Sequence, residues 1–307
     1  MNTLLSAREV SRQQTAHRAR AEHWTRPRRA RSSVGEREPV LDFLFEYYPY
    51  SPSKLEQWFP GWGFDLDASA EFSGQPSAFI RTSNSLSISA TYVEKNRRRI
   101  EFVIELLTGI ESRGANFHCF GVHEWAMVYR MPADTVRHPD PLRLTSDEIA
   151  QTVETVGLRC THIDAFRFFT PEAVPLNANE AGLTPTRENQ TQLDQRGCLH
   201  ATMDLYKYCM WLQPLVPGDL VLDSFELAVE TRTLDMQASP YDLSAFGYRA
   251  IPIETPEGRR EYANLQKEIA RRAEPLRQRL LSLLLNALNG IPRSGQAFKH
   301  QVPVQIR

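Results

Sequence analysis

The sequence predicts a mainly α protein. It reads as a single helical domain over residues 39–292 with a few short strands, between a disordered, arginine-rich tail at 1–38 and a short C-terminal tail at 293–307. Three observations carry that reading. Residues 198–213 and 218–237 are apolar on nearly every side, as buried helices are. Ile100, Val103, Ile104 and Leu107, and later Leu276, Leu280, Leu283, Leu284, Ala287 and Leu288, recur at helical spacing. Start and stop residues bracket these runs: Ser146 before an acidic first turn with Gly157 after it, and Thr255-Pro256 with Gly290 at the far end.

Composition narrows the class. Of the 307 residues, 41% are hydrophobic, enough for a sizeable core, and the formal net charge of −1 excludes a whole-molecule basic field. Cys119, Cys160, Cys198 and Cys209 are widely spaced with no CxxC pair, which suits reduced thiols and a cytoplasmic protein. No apolar run approaches the roughly 18 residues that span a bilayer, so no membrane partner is expected.

In chain order, the tail carries recurrent arginines and few aliphatic residues after Leu5, the composition of a disordered extension. PVLDFLFEYYPY reads as a short helix stopped by Pro49, and SPSKLEQW as another with Ser51 as N-cap and Pro52 at its first position. FPGWGFDLD reads as an aromatic loop, and short alternations suggest strand over 78–90. A helix is expected over 92–112, with Lys95, Arg97, Arg98 and Arg99 on a solvated face. NFHCFGVHEWAMVYRM is compatible with a buried helix from Val122 or with a strand. The loop RHPDPLRL follows, with His138 and Asp140. Ser146 is the expected cap of the next helix. Cys160, His162, Asp164 and Phe166 alternate, which predicts a strand over 158–169 with His162 and Asp164 on one face. A short polar helix fits 187–194, and Pro275 should break or kink the C-terminal helix, giving a pair.

The chemistry-bearing residues sit in apolar surroundings. On a helix His200, Asp204 and Lys207 form one stripe at i, i+4 and i+7, and Asp219, Asp223, Glu226 and Glu230 form another. Buried imidazoles and acids need partners, and histidine–carboxylate sets suit iron, manganese or zinc. The candidate metal ligands are His200 and Asp204 as anchor, joined by His123, His162 and Glu226. Glu124, Glu226 and Asp235 are the candidate catalytic carboxylates. Arg130, Arg167, Lys207 and Arg232 are candidates to hold an anionic substrate, and Trp125 to contact a flat one. HExxH, GxSxG, P-loop and Rossmann patterns do not occur. Cys119 reads as a core thiol.

EYYPYSP, GVHEWAMVYR, RHPDPLRL, HIDAFRFFT, GCLHATMDLYKY, ELAVETRTLDMQASPYDL and IETPEGRREY together resemble a bacterial family commonly labelled "3-methyladenine DNA glycosylase", from about Pro39 to Arg279. That resemblance implies excision of an alkylated base from DNA. The Gly-rich hairpin of helix-hairpin-helix glycosylases has no counterpart; PGWGF is the nearest glycine cluster. Three readings therefore stand. The first is an enzyme, a hydrolase or oxidoreductase, with a buried histidine–carboxylate site that uses a divalent metal on a small molecule or nucleobase. The second is a metal-free glycosylase, with Glu226 or Asp235 stabilising positive charge at the sugar and DNA as partner. The third is a non-catalytic binding protein, should these residues prove scattered.

Overall fold

The chain opens with a strand, β1 (Thr3–Leu5), and a 28-residue helix, α1 (Ala7–Val34). This comes from a computed structural model, which describes residues 2–72, 74–132 and 139–291. The disordered tail expected from composition is thus corrected over residues 3–34. Ser6 caps α1 by accepting the Glu9 N–H, and Gly35 ends it in the left-handed region at φ 72°. Only Val10, His17, Ala21 and Thr25 are buried on it, which is too little apolar surface to dock a helix. Its arginines supply the rest. Arg20 reaches Asp223 at 2.8 Å and Glu226 at 2.5 Å, Arg29 forks onto Glu56, and Arg31 binds buried Asp42. Composition read the arginines as tail because their acidic partners lie far away in sequence.

Two short helices follow, α2 (Phe43–Glu46) and α3 (Pro52–Leu55), where the proline stops placed them. A small four-stranded sheet comes next: β2 (Phe64–Asp67), β3 (Phe79–Arg81) and β4 (Ser85–Ile88), in the order β1-β2-β4-β3. The β1–β2 pair is parallel and the other pairs are antiparallel, with Leu5 opposite Leu66 and Leu66 opposite Leu86 on the buried side. The 78–90 strands were legible as alternation. Strand β2 was hidden in the aromatic loop FPGWGFDLD, since its partner is the N-terminus.

The helix expected over 92–112 is two, α4 (Ala90–Lys95) and α5 (Arg97–Ser112), parted at Asn96, whose side chain bonds the Tyr92 carbonyl. The 116–131 stretch resolves as a short buried helix, α6 (Val122–Ala126). In α7 (Ser146–Val156) the cap is Thr145 and not Ser146: Thr145 and Glu148 form a reciprocal capping box. The strand predicted over 158–169 does not form. An isolated bridge joins Leu158 to Asn177, and α8 (Ile163–Phe166) starts at once because His162 Nδ1 accepts the Asp164 N–H and turns the chain. After α9 (Gln190–Leu193) come the long elements α10 (Leu199–Trp211), α11 (Gly218–Gln237) and α12 (Pro256–Asn289). Helix α12 runs through Pro275, so the expected break is corrected. Proline removes one N–H bond from a helix, and Ala273, Arg277 and Leu280, all buried, hold the flanking turns in place. Part of the RHPDPLRL loop, His138 included, and the C-terminal tail lie outside the described residues.

Helices α10 and α11 pack along their length as the centre of the molecule. They approach α1 closely at the start of α11, where a Cβ on Gly218 would stand 2.7 Å from His17 Nδ1. The interior divides into two apolar clusters. One gathers α5, the sheet and most of α10; the other gathers α6 to α8 and the first half of α12. Leu199 belongs to the second and Ala201 to the first, so His200 lies on the seam between them.

Ion-pair docking of α1 has a testable outcome. Arg20→Met should destabilise the protein by about 1 kcal/mol, and high salt should shrink the difference between variant and parent in urea melts. Trypsin should leave the eight arginines of α1 largely uncut under native conditions. Rapid cleavage there would mean the helix is not docked.

Candidate metal centre

Three helices deliver the site. Helix α6 carries His123, α10 carries His200 in its first turn, and α11 carries Asp235 near its end. All three side chains are buried, and one ligand atom from each lies within 4.8 Å of the others. Gly121 makes the approach of α6 possible. Its φ of 74° is open to glycine, and a Cβ there would stand 3.2 Å from Ala238 and 3.3 Å from Tyr262. Trp125 then fastens α6 to the end of α11 by donating its indole N–H to the Ala238 carbonyl at 2.8 Å.

His123 Nε2 stands 2.8 Å from Asp235 Oδ1, yet the two are not aligned as a hydrogen bond, and neither atom has another partner among the described residues. Each converges on the same point in space. The other Asp235 oxygen is held by Arg232, whose guanidinium bridges Asp235 Oδ2 at 2.9 Å and Glu124 Oε1 at 2.8 Å and lies over the Phe43 ring. The other nitrogen of His123, Nδ1, touches Cys119 Sγ at 3.4 Å. His200 packs edge-on against His123, with ring centroids 4.7 Å apart, and tilted against His162 at 5.5 Å.

Electrostatics follow from this packing. Burial disfavours an ionised Asp235, but His123 outweighs it and keeps the carboxyl below its usual range. Burial likewise opposes protonation of His123, and Asp235 more than compensates, raising its pKa. Burial and the adjacent His123 push His200 well below its ordinary value, so it is a neutral imidazole, the form that binds metal.

A second buried cluster adjoins the first. Asp204 accepts the Tyr48 hydroxyl at 3.0 Å and pairs with Lys207, while Asp194 accepts Gln190 at 2.9 Å. His162 sits between these two carboxylates. Thus His200 and Asp204, one turn apart on α10, serve different clusters: His200 turns to His123 and Asp235, and Asp204 to Tyr48 and Lys207.

The remaining sequence candidates are placed as follows. Glu226 binds Arg20, with Trp24 Nε1 at 3.4 Å, on the α1 side of α11 and away from the cluster. Glu124 and Arg232 flank the cluster through Asp235. Lys207 bridges Asp204 and Asp164. Arg167 lies over Phe168 and near Tyr47, and Arg130 is exposed and pairs with Glu154 at 2.7 Å. Trp125 is fully buried against protein. Cys119, Asp194 and Gln266 stand around the site without having been singled out. The signal for Asp235 as a ligand was a charged pair, Arg232 and Asp235, inside an otherwise apolar helix.

A cavity of about 20 Å³ opens against the cluster, with Cys119, His123, His162, Cys198, His200 and Gln266 on its wall. These features define a mainly helical protein with a buried His–His–Asp cluster that could hold a metal ion. No protein-family model matches the chain, and searches of curated proteins and of solved structures return no match. No helix of the described residues is long and apolar enough to cross a membrane.

The Asp204 network sets a pH dependence. Burial penalises the Asp204 carboxylate, but Lys207 and His162 hold its pKa well below the usual range. A depressed carboxyl stabilises the fold above its unfolded pKa of about 3.9 and loses that contribution as pH falls through the folded value. Asp204→Asn should therefore destabilise by about 3 kcal/mol at pH 7, and the gap should narrow below about pH 4. Urea melts from neutral pH down to about pH 3, below the unfolded carboxyl value of about 3.9, check this. A gap that stays constant would mean Asp204 is not ionised in the fold.

Proposed function

We propose that the protein is a metal-dependent enzyme whose centre is formed by His123, His200 and Asp235. The observation that carries this is the convergence of one ligand atom from each of the buried His123, His200 and Asp235 within 4.8 Å, with His123 Nε2 and Asp235 Oδ1 2.8 Å apart. Ligand atoms about 2.1 Å from one ion stand roughly 3 Å apart at a right angle and roughly 3.4 Å apart at the tetrahedral angle. The observed spacing is that of neighbouring ligands on a six-coordinate ion. Ligands on opposite sides of an ion stand at most about 4.2 Å apart, so the 4.8 Å limit on this cluster asks for less than about an ångström of side-chain adjustment.

Two histidines and one carboxylate on one side of an ion leave its other positions open, an arrangement used by non-haem iron(II) sites and, with one water, by zinc hydrolases. Histidine and carboxylate donors suit iron, manganese or zinc. Arg232 and Cys119 are the residues behind the ligands that orient Asp235 and His123, as metal ligands generally require. A base-excision reading at this cluster would seat a flipped nucleobase. The space beside the ligands is about 20 Å³, against roughly 150 Å³ for a cavity that takes benzene, so its size supports the metal reading.

Elemental analysis of the purified protein should show close to one equivalent of iron, manganese or zinc. His200→Ala and Asp235→Asn should each lose it while Arg130→Gln, on the exposed surface, keeps it. Added metal should raise the melting temperature of the parent in a concentration-dependent way, because binding to the native state alone stabilises it. Parent protein that stays metal-free after anaerobic reconstitution would refute the centre.

A further inference from the structure

Besides His123 Nε2, the cavity wall holds two buried polar atoms that have no partner among the described residues. One belongs to His162. Its Nδ1 accepts the Asp164 N–H, which leaves the proton of the neutral ring on Nε2. That N–H stands 3.5 Å from Asp204 Oδ2 and 3.6 Å from Asp194 Oδ2, and bonds neither. The other is Gln266 Oε1. Gln266 is 1% exposed and donates its amide to the Gly197 carbonyl at 2.7 Å, which turns the oxygen away without a donor. A buried polar group left without a hydrogen bond destabilises the fold. One donor and one acceptor on the wall of a space that holds about one water therefore point to a ligand that both accepts and donates.

The mouth of the same cavity is charged in one sense. Arg159 is exposed on its rim and makes no hydrogen bond or ion pair to any described residue, whereas the nearby Arg187 is committed to Asp164 and Arg113 to the Asp194 and Thr191 carbonyls. No Asp or Glu among the described residues lines the cavity. A guanidinium with no internal carboxylate, on a wall without acidic side chains, matches an anionic oxygen group electrostatically.

We propose that this cavity is the open position of the metal centre: it seats one water between His162 Nε2 and Gln266 Oε1, and Arg159 at its mouth recognises the anionic oxygen group of a small carboxylate or phosphate substrate. The proposal rests on the metal centre described above. It makes the centre a catalytic one, with an exchangeable position, and sets it apart from a closed structural site.

The test uses the full chain loaded with cobalt(II), whose visible bands report its ligands, titrated with acetate and with inorganic phosphate. At least one anion should shift the bands, and which one does so assigns carboxylate or phosphate. Arg159→Gln should weaken that anion about tenfold with cobalt affinity unchanged; Arg159 supports no other contact, so the variant should fold as the parent does. In the manganese-loaded protein, an exchangeable bound water should enhance the relaxation of solvent protons. Bands that neither anion moves, equal anion affinity in Arg159→Gln, or no relaxation enhancement would overturn the inference while leaving the metal centre standing. Failure to take up cobalt or manganese at all would remove the centre itself.

Discussion

A guanidinium taken out of water governs the middle of this molecule. Arg232 is buried on α11, a helix apolar on almost every other side, and a charge so placed is tolerable only with partners. It has two, Glu124 from α6 and Asp235 one turn along its own helix. That single bridge fixes the distance between α6 and α11 and decides which way Asp235 points. One carboxylate oxygen is spent on Arg232, so the other must face His123.

The two-cluster interior explains why the polar groups gather where they do. Helices α10 and α11 are apolar over most of their surface, and His200 lies where the two apolar clusters meet, with Asp204, Arg232 and Asp235 buried on the same helices. These polar groups fall into two sets with different characters. Around His162, Lys207, Tyr48 and Gln190 bond the carboxylates, and Asp194 Oδ1 is left without a partner among the described residues. Around His123, Arg232 holds one oxygen of Asp235 and the other stands 2.8 Å from the imidazole. Two neighbouring imidazole–carboxylate clusters, built from similar residues, thus differ in what holds their carboxylates.

The sequence carried the helices well where period and caps speak locally. The helices at 199–211 and 218–237 are close to their expected bounds, and so is the stop at Pro49. It carried long-range partnerships poorly. The arginines of α1 have the composition of a disordered tail, and only Asp223, Glu226, Glu56 and Asp42 make them a docking face. Strand β2 was unreadable because it pairs with residues 3–5. His162 and Asp164 alternate as a strand would, yet a single imidazole-to-backbone bond turns that segment into a helix. At the site the residue types were legible and their grouping was not. His123, His200 and Asp235 were all singled out, but one-turn spacing on a helix suggested His200 with Asp204, and no local pattern shows that those two side chains diverge to opposite clusters.

Charge balance connects these observations. Burial pushes the Glu124 carboxyl up, against the pull of Arg232, so burial tends to neutralise the acid that supports Arg232. If it did, Arg232 would have Asp235 alone, and Asp235 would be drawn away from His123. A cation beside Asp235 reverses this tendency, since added positive charge nearby favours ionised carboxylates. It would also displace the proton that His123 Nε2 directs at Asp235, so that the imidazole would no longer compete with Arg232 for the same carboxylate. With an ion in place, Glu124 would stay ionised on Arg232, Arg232 would hold one oxygen of Asp235, and the other oxygen would be free to join both imidazoles as a ligand. The carboxylates of α6 and α11 would then each have a cationic partner.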